Sequence, residues 1–262
     1  MVTLKTFGNT SSQKALILLH AFPLSSEMYR DVIAPFESSL PSHQIILVGL
    51  PGFGGASELK NWTLAQAMTD LHAQLIDIGI TSSALCGVSM GGYAVFAYYK
   101  QFPNEVSALI LSNTKAEADN EEGKANREKL AKDVEAKGYE PIYAGMMLKL
   151  LGKSASAKNP TLIDTVKSMI ASQPPVAIAE ASRAMGKRQD STDLLGHITI
   201  PTLVIAGTED ELIPEAVMRA MSENIPNVVY APMPQHGHLC VIEDPVTWSN
   251  LIINFLKKNI TN

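Results

Sequence analysis

Ser89 stands in Leu85-Cys86-Gly87-Val88-Ser89-Met90-Gly91-Gly92, directly after an apolar β-type run and before a helical pattern at 93–101. A serine on so tight a strand-to-helix turn has a strained backbone. Glycines at the flanking positions let strand and helix approach closely. The helix that follows presents unpaired N–H groups and the positive end of its dipole, which favours negative charge developing there. The chemistry implied is nucleophilic attack. A glycine-rich turn with an ordinary N-cap serine shows the same letters; the strand before and the helix after weigh against it.

A serine hydroxyl needs a base, and the histidines are His20, His43, His72, His197, His236 and His238. His43 and His197 sit in connecting segments, and His72 sits in a helical pattern. His236 and His238 lie in Pro234-Gln235-His236-Gly237-His238-Leu239, between the last strand-like run and the last helix. A base there stands at the carboxyl edge of a sheet, where sites of open α/β sheets form. Gly237 makes His238 the preferred base, with His236 second or a pocket residue. The acid that orients it is expected in Gly207-Thr208-Glu209-Asp210-Glu211, after another apolar run. Asp210 is preferred there, and Glu209 and Glu211 compete.

The run at 15–19 leads into His20-Ala21-Phe22-Pro23-Leu24-Ser25. A loop here aims a backbone N–H into the site opposite the residue after the nucleophile, so Phe22 and Met90 are the expected oxyanion donors. His20 is then a structural residue that fixes the loop. The plainer alternative is a proline-containing turn.

Positioning these residues requires a sheet. Nearly continuous apolar runs at 15–19, 45–50, 84–87, 106–112, 202–206 and 228–231 read as strands buried on both faces, with 2–7 as an edge strand. Helical patterns at 27–37, 63–78, 90–101, 214–224 and 245–258 alternate with them. The alternation predicts a three-layer α/β fold with a mostly parallel sheet. From 115 to 196 no strand-like run occurs; helical stretches at 120–137, 139–151, 160–172 and 174–188 are punctuated by Gly138, Gly152, Pro160 and Pro174-Pro175. This predicts a helical cap at 115–196 inserted into a core domain of 1–114 and 197–262.

Composition narrows the partners. Of 262 residues, 26 are acidic and 21 basic, a formal charge of −5, which argues against a nucleic-acid binder. Apolar runs such as 15–19 fall far short of the roughly 18 residues a membrane span needs. Cys86 and Cys240 cannot build a disulfide framework and lack metal-ligand spacing. With no signal-peptide pattern in the first residues, a cytoplasmic monomer or homodimer is expected.

Taken together, His20-Ala21-Phe22-Pro23, Leu50-Pro51-Gly52-Phe53-Gly54-Gly55, Gly87-Val88-Ser89-Met90-Gly91-Gly92, Gly207-Thr208-Glu209-Asp210 and Gly237-His238-Leu239 resemble the α/β-hydrolase superfamily, in its compact esterase and lactonase branch. The stretch from Asn113 to Asp119 looks similar to the lid opening of 3-oxoadipate enol-lactonase-like hydrolases. The order serine, aspartate, histidine is also the family's. The resemblance implies the α/β-hydrolase fold, an eight-stranded, mostly parallel sheet, a helical lid between its sixth and seventh strands, and a triad of Ser89, Asp210 and His238. Two positions depart from the pattern: Ala21 replaces a usual glycine at the oxyanion loop, and Gly49 replaces a common acid before Leu-Pro-Gly. Serine at 89 separates the chain from members with an aspartate nucleophile.

The expected activity is hydrolysis of a small to medium carboxylic ester or lactone through an acyl-enzyme, with no metal or organic cofactor. Met146, Met147, Met169, Met185, Tyr139 and Tyr143 are candidates for an adaptable apolar pocket, or else for ordinary cap packing. Arg127, Arg183 and Arg188 are candidates to meet an acidic substrate, or else are solvated. A perhydrolase or C–C bond hydrolase would keep the same triad. A hydroxynitrile lyase, or a ligand-binding protein that only retains the fold, would share the sequence pattern.

Overall fold

The computed structural model describes residues 1–260. Seven strands form one sheet in the order β1-β3-β2-β4-β5-β6-β7. They are β1 (Thr3–Gly8), β2 (Lys14–Leu19), β3 (Gln44–Gly49), β4 (Ser82–Val88), β5 (Val106–Ser112), β6 (Thr202–Gly207) and β7 (Val228–Met233). All pairings are parallel except that of β1 with β3, which is antiparallel. Every residue of β3 and β6 is buried, which requires cover on both faces and explains why these strands do not alternate. The edge strands β1 and β7 are only partly buried.

The count corrects the eight strands implied by resemblance. A single strand, β1, precedes β2 and pairs directly with β3 at the sheet's edge. The seven strands observed are the six marked by apolar runs and the edge strand expected at 2–7. The long helical segment accordingly falls between the fifth and sixth strands.

On the body, the helices are α1 (Ile33–Ser39), α2 (Leu64–Asp77) and α3 (Met90–Gln101). The helical segment holds α4 (Glu121–Lys137), α5 (Glu140–Gly145), α6 (Lys153–Lys158), α7 (Thr161–Ala171), α8 (Pro175–Gly186) and α9 (Thr192–Leu195). The body resumes with α10 (Glu215–Glu223), α11 (Cys240–Glu243) and α12 (Pro245–Asn259). The predicted helix at 27–37 is split: Ser26–Val32 is a 3₁₀ helix and α1 follows it.

Local chemistry sets several ends. Thr63 and Gln66 form a reciprocal capping box at the start of α2. Asn120 Oδ1 accepts from Gly123 N–H at 2.8 Å to open α4, and Gly138, at φ 65°, closes it. Asp244 caps α12, with Pro245 in its first turn. None of the described helices is long and apolar enough to cross a membrane.

The chain order creates the crevice in which the site lies. From β2 the chain crosses to β3 on one side, whereas β4 is followed by β5 on the other. The connections leaving the carboxyl ends of the adjacent strands β2 and β4 therefore run in opposite directions and leave a crevice between them, the usual ligand position in such sheets.

Candidate active site

Ser89 sits at the tip of β4, in the middle of the sheet, with φ 55° and ψ −114°. That is a costly backbone for a residue with a Cβ, held by its surroundings. Its N–H donates to Ser112 O at 3.0 Å, and its carbonyl accepts from Thr114 Oγ1 at 2.8 Å. The glycines around it are required by crowding. A Cβ on Gly87 would overlap the backbone of Gly91, and one on Gly91 would overlap the Leu19 carbonyl.

Asp210 and His238 arrive on two loops that are stitched together. Gly207, ending β6, lies so close to the Gly237 carbonyl that a side chain there would overlap it. Glu209 N–H donates to His236 O at 2.8 Å, and Thr208 N–H to Met233 O at 3.1 Å. This brings His238 Nδ1 to 2.7 Å from Asp210 Oδ2, with His238 1% exposed and Asp210 6% exposed. Asp210 Oδ1 accepts from the N–H groups of Leu212 and Ile213 at 2.8 and 2.9 Å. Burial by itself would raise the Asp210 carboxyl. The His238 ring, the Ile213 N–H and Asn113 outweigh burial and hold it below the ordinary aspartate value. His238 Nε2 is buried and has no hydrogen-bond partner among the described residues.

The competing residues go elsewhere. Glu209 accepts from the Ser154 N–H and hydroxyl at the start of α6, and Glu211 pairs with Lys153 at 2.7 Å. Both tie the acid loop to the helical segment. His236 Nδ1 lies 2.7 Å from the Pro234 carbonyl, and its Nε2 lies 3.8 Å from Asp244.

Asn113 belongs to this arrangement and was not singled out as a site residue from sequence. At the end of β5, with φ 49°, it donates through Nδ2 to both Asp210 Oδ2 and Gly237 O at 3.0 Å. Its own Oδ1 accepts from Ser112 Oγ, which in turn accepts from Trp248 Nε1. The available signal was an amide directly after the largely apolar run at 106–112.

His20 is fully buried and lies in the loop after β2. Leu50 N–H donates to its Nε2 at 3.1 Å, so the proton sits on Nδ1, which donates to Ala21 O at 3.1 Å. Burial lowers its pKa to about 4 despite the Ala21 hydrogen bond. This neutral ring bridges the loop carrying Phe22 to the loop after β3. Gly49 also finds an explanation, since a Cβ there would press on Thr3 Oγ1 and the Phe53 carbonyl. The Leu50–Gly55 turn is instead held by His20 and by Gln173 Oε1, which accepts from Gly54 N–H at 3.0 Å. Met90 opens α3, so its N–H is one of the first in the helix, which have no partner within it.

Ser89 and His238 line one cavity of about 140 Å³, together with Phe22, Tyr93, Lys115, Arg127, Met146, Met185, Leu212 and Ile213. Met146 and Met185 are thus brought to the site, whereas Met147 and Tyr143 are not. Met147 begins a 3₁₀ turn and faces the packed interior; Tyr143 donates to Lys167 O on the outer side of α5. Met169 and Tyr139 pack against the core outside this cavity. Arg183 is ion-paired with Glu128, Glu135 and Glu180. Among the described residues no cluster of histidine, cysteine and carboxylate side chains has metal-binding geometry.

The alpha/beta hydrolase fold family matches residues 14–245. The 3-oxoadipate enol-lactonase 1 of Acinetobacter baylyi is 24% identical over 93% of this chain and 88% of its own. A pimeloyl-[acyl-carrier protein] methyl ester esterase of Photorhabdus laumondii is 24% identical over 97% of both. Among solved structures, a thermophilic esterase from Thermogutta terrifontis superposes with a TM-score of 0.92 at 32% identity, over 99% of this chain and 94% of its own. MenH from S. aureus gives 0.87 at 25% identity, over 98% and 99%. On the extent of the family match and on the fold, this chain belongs to the α/β hydrolase family.

Proposed function

We propose that the protein is a serine hydrolase that cleaves a small to medium carboxylic ester or lactone through an acyl-enzyme. The observation that carries this reading is the Asp210–His238 pair, whose free Nε2 borders the same cavity as the strained Ser89. In this reading His238 Nε2 takes the Ser89 proton as Oγ attacks the ester carbonyl, and Asp210 steadies the imidazolium. The backbone N–H groups of Phe22 and Met90 hold the oxyanion. As the C–O bond breaks, His238 gives its proton to the leaving alcohol. It then takes a proton from water as the water attacks the acyl carbon, and returns that proton to Ser89 Oγ as the acyl–Oγ bond breaks and the acid leaves. In a lactone, acid and alcohol leave as one molecule.

Residues 115–196 act in this reading as a cap over a core of 1–114 and 197–262, with Met146 and Met185 setting the apolar part of the site. No metal or organic cofactor takes part. The free, buried Cys86 and Cys240 agree with a reducing, cytoplasmic setting.

The test is intact-mass analysis after fluorophosphonate treatment, together with release of para-nitrophenol from acetate and butyrate esters. One adduct and turnover in the parent, both lost in Ser89→Ala, support the proposal. A folded parent that forms no adduct and turns over no ester overturns it in favour of a ligand-binding protein on this fold.

A further inference from the structure

A second cavity, of about 480 Å³, lies beside the one at Ser89, and the two share Tyr93 and Lys115 in their walls. Its other lining residues come from the start of α2, from α3, from the stretch after β5 and from the chain leaving α8. Four of them are cations: Lys100, Lys115, Lys187 and Arg188. Among the described residues no aspartate or glutamate lines it. The chain as a whole is acidic, at −5, so this is a local reversal of charge.

The cations are incompletely neutralised. Arg127 and Arg188 share one carboxylate, Asp119, at 3.0 and 2.8 Å. Arg188 is buried and lies 4.2 Å over the Tyr93 ring; its Nε has no partner among the described residues. Lys115 is half-buried between the two cavities and joins none of these ion pairs. Lys100 donates to a neutral oxygen, Gln189 Oε1, at 2.9 Å. Gathering like charges around a recess opposes folding unless an anion offsets it, and low-dielectric walls concentrate the field.

Size points the same way. A cavity of about 140 Å³ is small beside the roughly 300–1,000 Å³ of ordinary ligand sites, whereas the neighbouring one lies within that range. We propose that the second cavity receives the anionic half, a carboxylate or a phosphate, of a substrate whose ester group lies at Ser89. The inference rests on the hydrolase reading and adds a substrate class to it. Lys115, at the shared wall, holds the anion, and Lys100, Lys187 and Arg188 extend the attraction outward. Binding energy from this remote group would then position the ester for attack.

The experiment compares kcat/KM for matched esters with and without the charge. Mono-para-nitrophenyl adipate against para-nitrophenyl hexanoate places a carboxylate on the acyl side. Acetylated glycerol phosphate against glyceryl acetate places a phosphate on the alcohol side. In the parent, at least one charged ester should exceed its neutral twin by about tenfold at low salt, with the advantage shrinking as salt screens it. Lys115→Met, and separately the exposed pair Lys100→Glu with Lys187→Glu, should each lower that ratio by about tenfold. Parity of charged and neutral esters in the parent, or a ratio that both sets of substitutions leave alone, overturns the proposal.

Failure of the hydrolase reading looks different, since then no ester is turned over at all. In that case calorimetric titration of Ser89→Ala protein with adipate decides the cavity. Saturable binding that the Lys100→Glu, Lys187→Glu pair abolishes keeps an anion site; absence of binding removes it.

Discussion

Asn113 and Asp210 stand 97 residues apart in sequence and meet through one hydrogen bond of 3.0 Å, Nδ2 donating to the Oδ2 that also receives His238. Because β5 and β6 are neighbours in parallel register, the residue after β5 naturally reaches the loop after β6. The same amide also holds the Gly237 carbonyl, so one side chain fixes both Asp210 and the backbone beside His238.

Asn113→Ala should therefore lower kcat by about 10–100-fold with little change in KM, the range seen when groups that orient a site residue are removed. Steady-state kinetics on a para-nitrophenyl ester measures both constants. An unchanged kcat would show that the backbone N–H groups of Leu212 and Ile213 suffice to hold Asp210.

Ser89→Gly should stabilise the fold while abolishing fluorophosphonate labelling. Glycine relieves a non-glycine residue at φ 55°, a strain on the order of 1–2 kcal/mol, and so raises the melting midpoint by a few degrees. Calorimetry of the two proteins checks it. A lower midpoint for the glycine variant contradicts the strain assigned to this turn.

His20 should remain neutral, with its proton on Nδ1, until the pH falls to about 4. The unfolded chain takes up that proton near pH 6.5, while the folded form resists it. Stability is therefore complete above pH 6.5 and declines as pH falls toward 4, by on the order of 3 kcal/mol. Nitrogen-detected NMR titration of the ring is the direct test; a midpoint near 6.5 in the folded protein would contradict it.

Gly237→Ala should disturb the base more than the fold's core. A Cβ there overlaps the backbone of Leu151 and Gly152, so the histidine loop and the helical segment must separate. The contact Leu239 N–H to Leu150 O, at 3.1 Å, strains with them. A fall in kcat of about 10–100-fold is expected, since misplacement by about 1 Å is enough for such a loss. Kinetics combined with a thermal melt separates this from general unfolding.

Much of this molecule is legible in the order of its residues. The apolar runs mark six of the seven strands, and the inner ones are apolar nearly throughout because a strand buried on both faces must be. Gly87, Ser89 and Gly91 announce a tight turn, because only certain residues tolerate the crowding that such a turn imposes. Local spacing carries this information, so it survives without knowledge of the fold.

Tertiary structure decided what spacing cannot. Asp210 is the preferred one of three adjacent carboxylates, but only the turn after β6 sends it to His238 and sends Glu209 and Glu211 to Ser154 and Lys153. Met146 and Met147 are neighbours, and the direction of one short helical turn gives the first to the cavity and the second to the core. Asn113, Lys115 and the cationic recess join segments far apart in the chain, and periodicity along one element contains no record of which other element it meets. The strand count, too, was settled by pairing, since β1 closes the sheet directly on β3. The chain's local patterns set which elements form, and packing between them fixed which polar groups face one another.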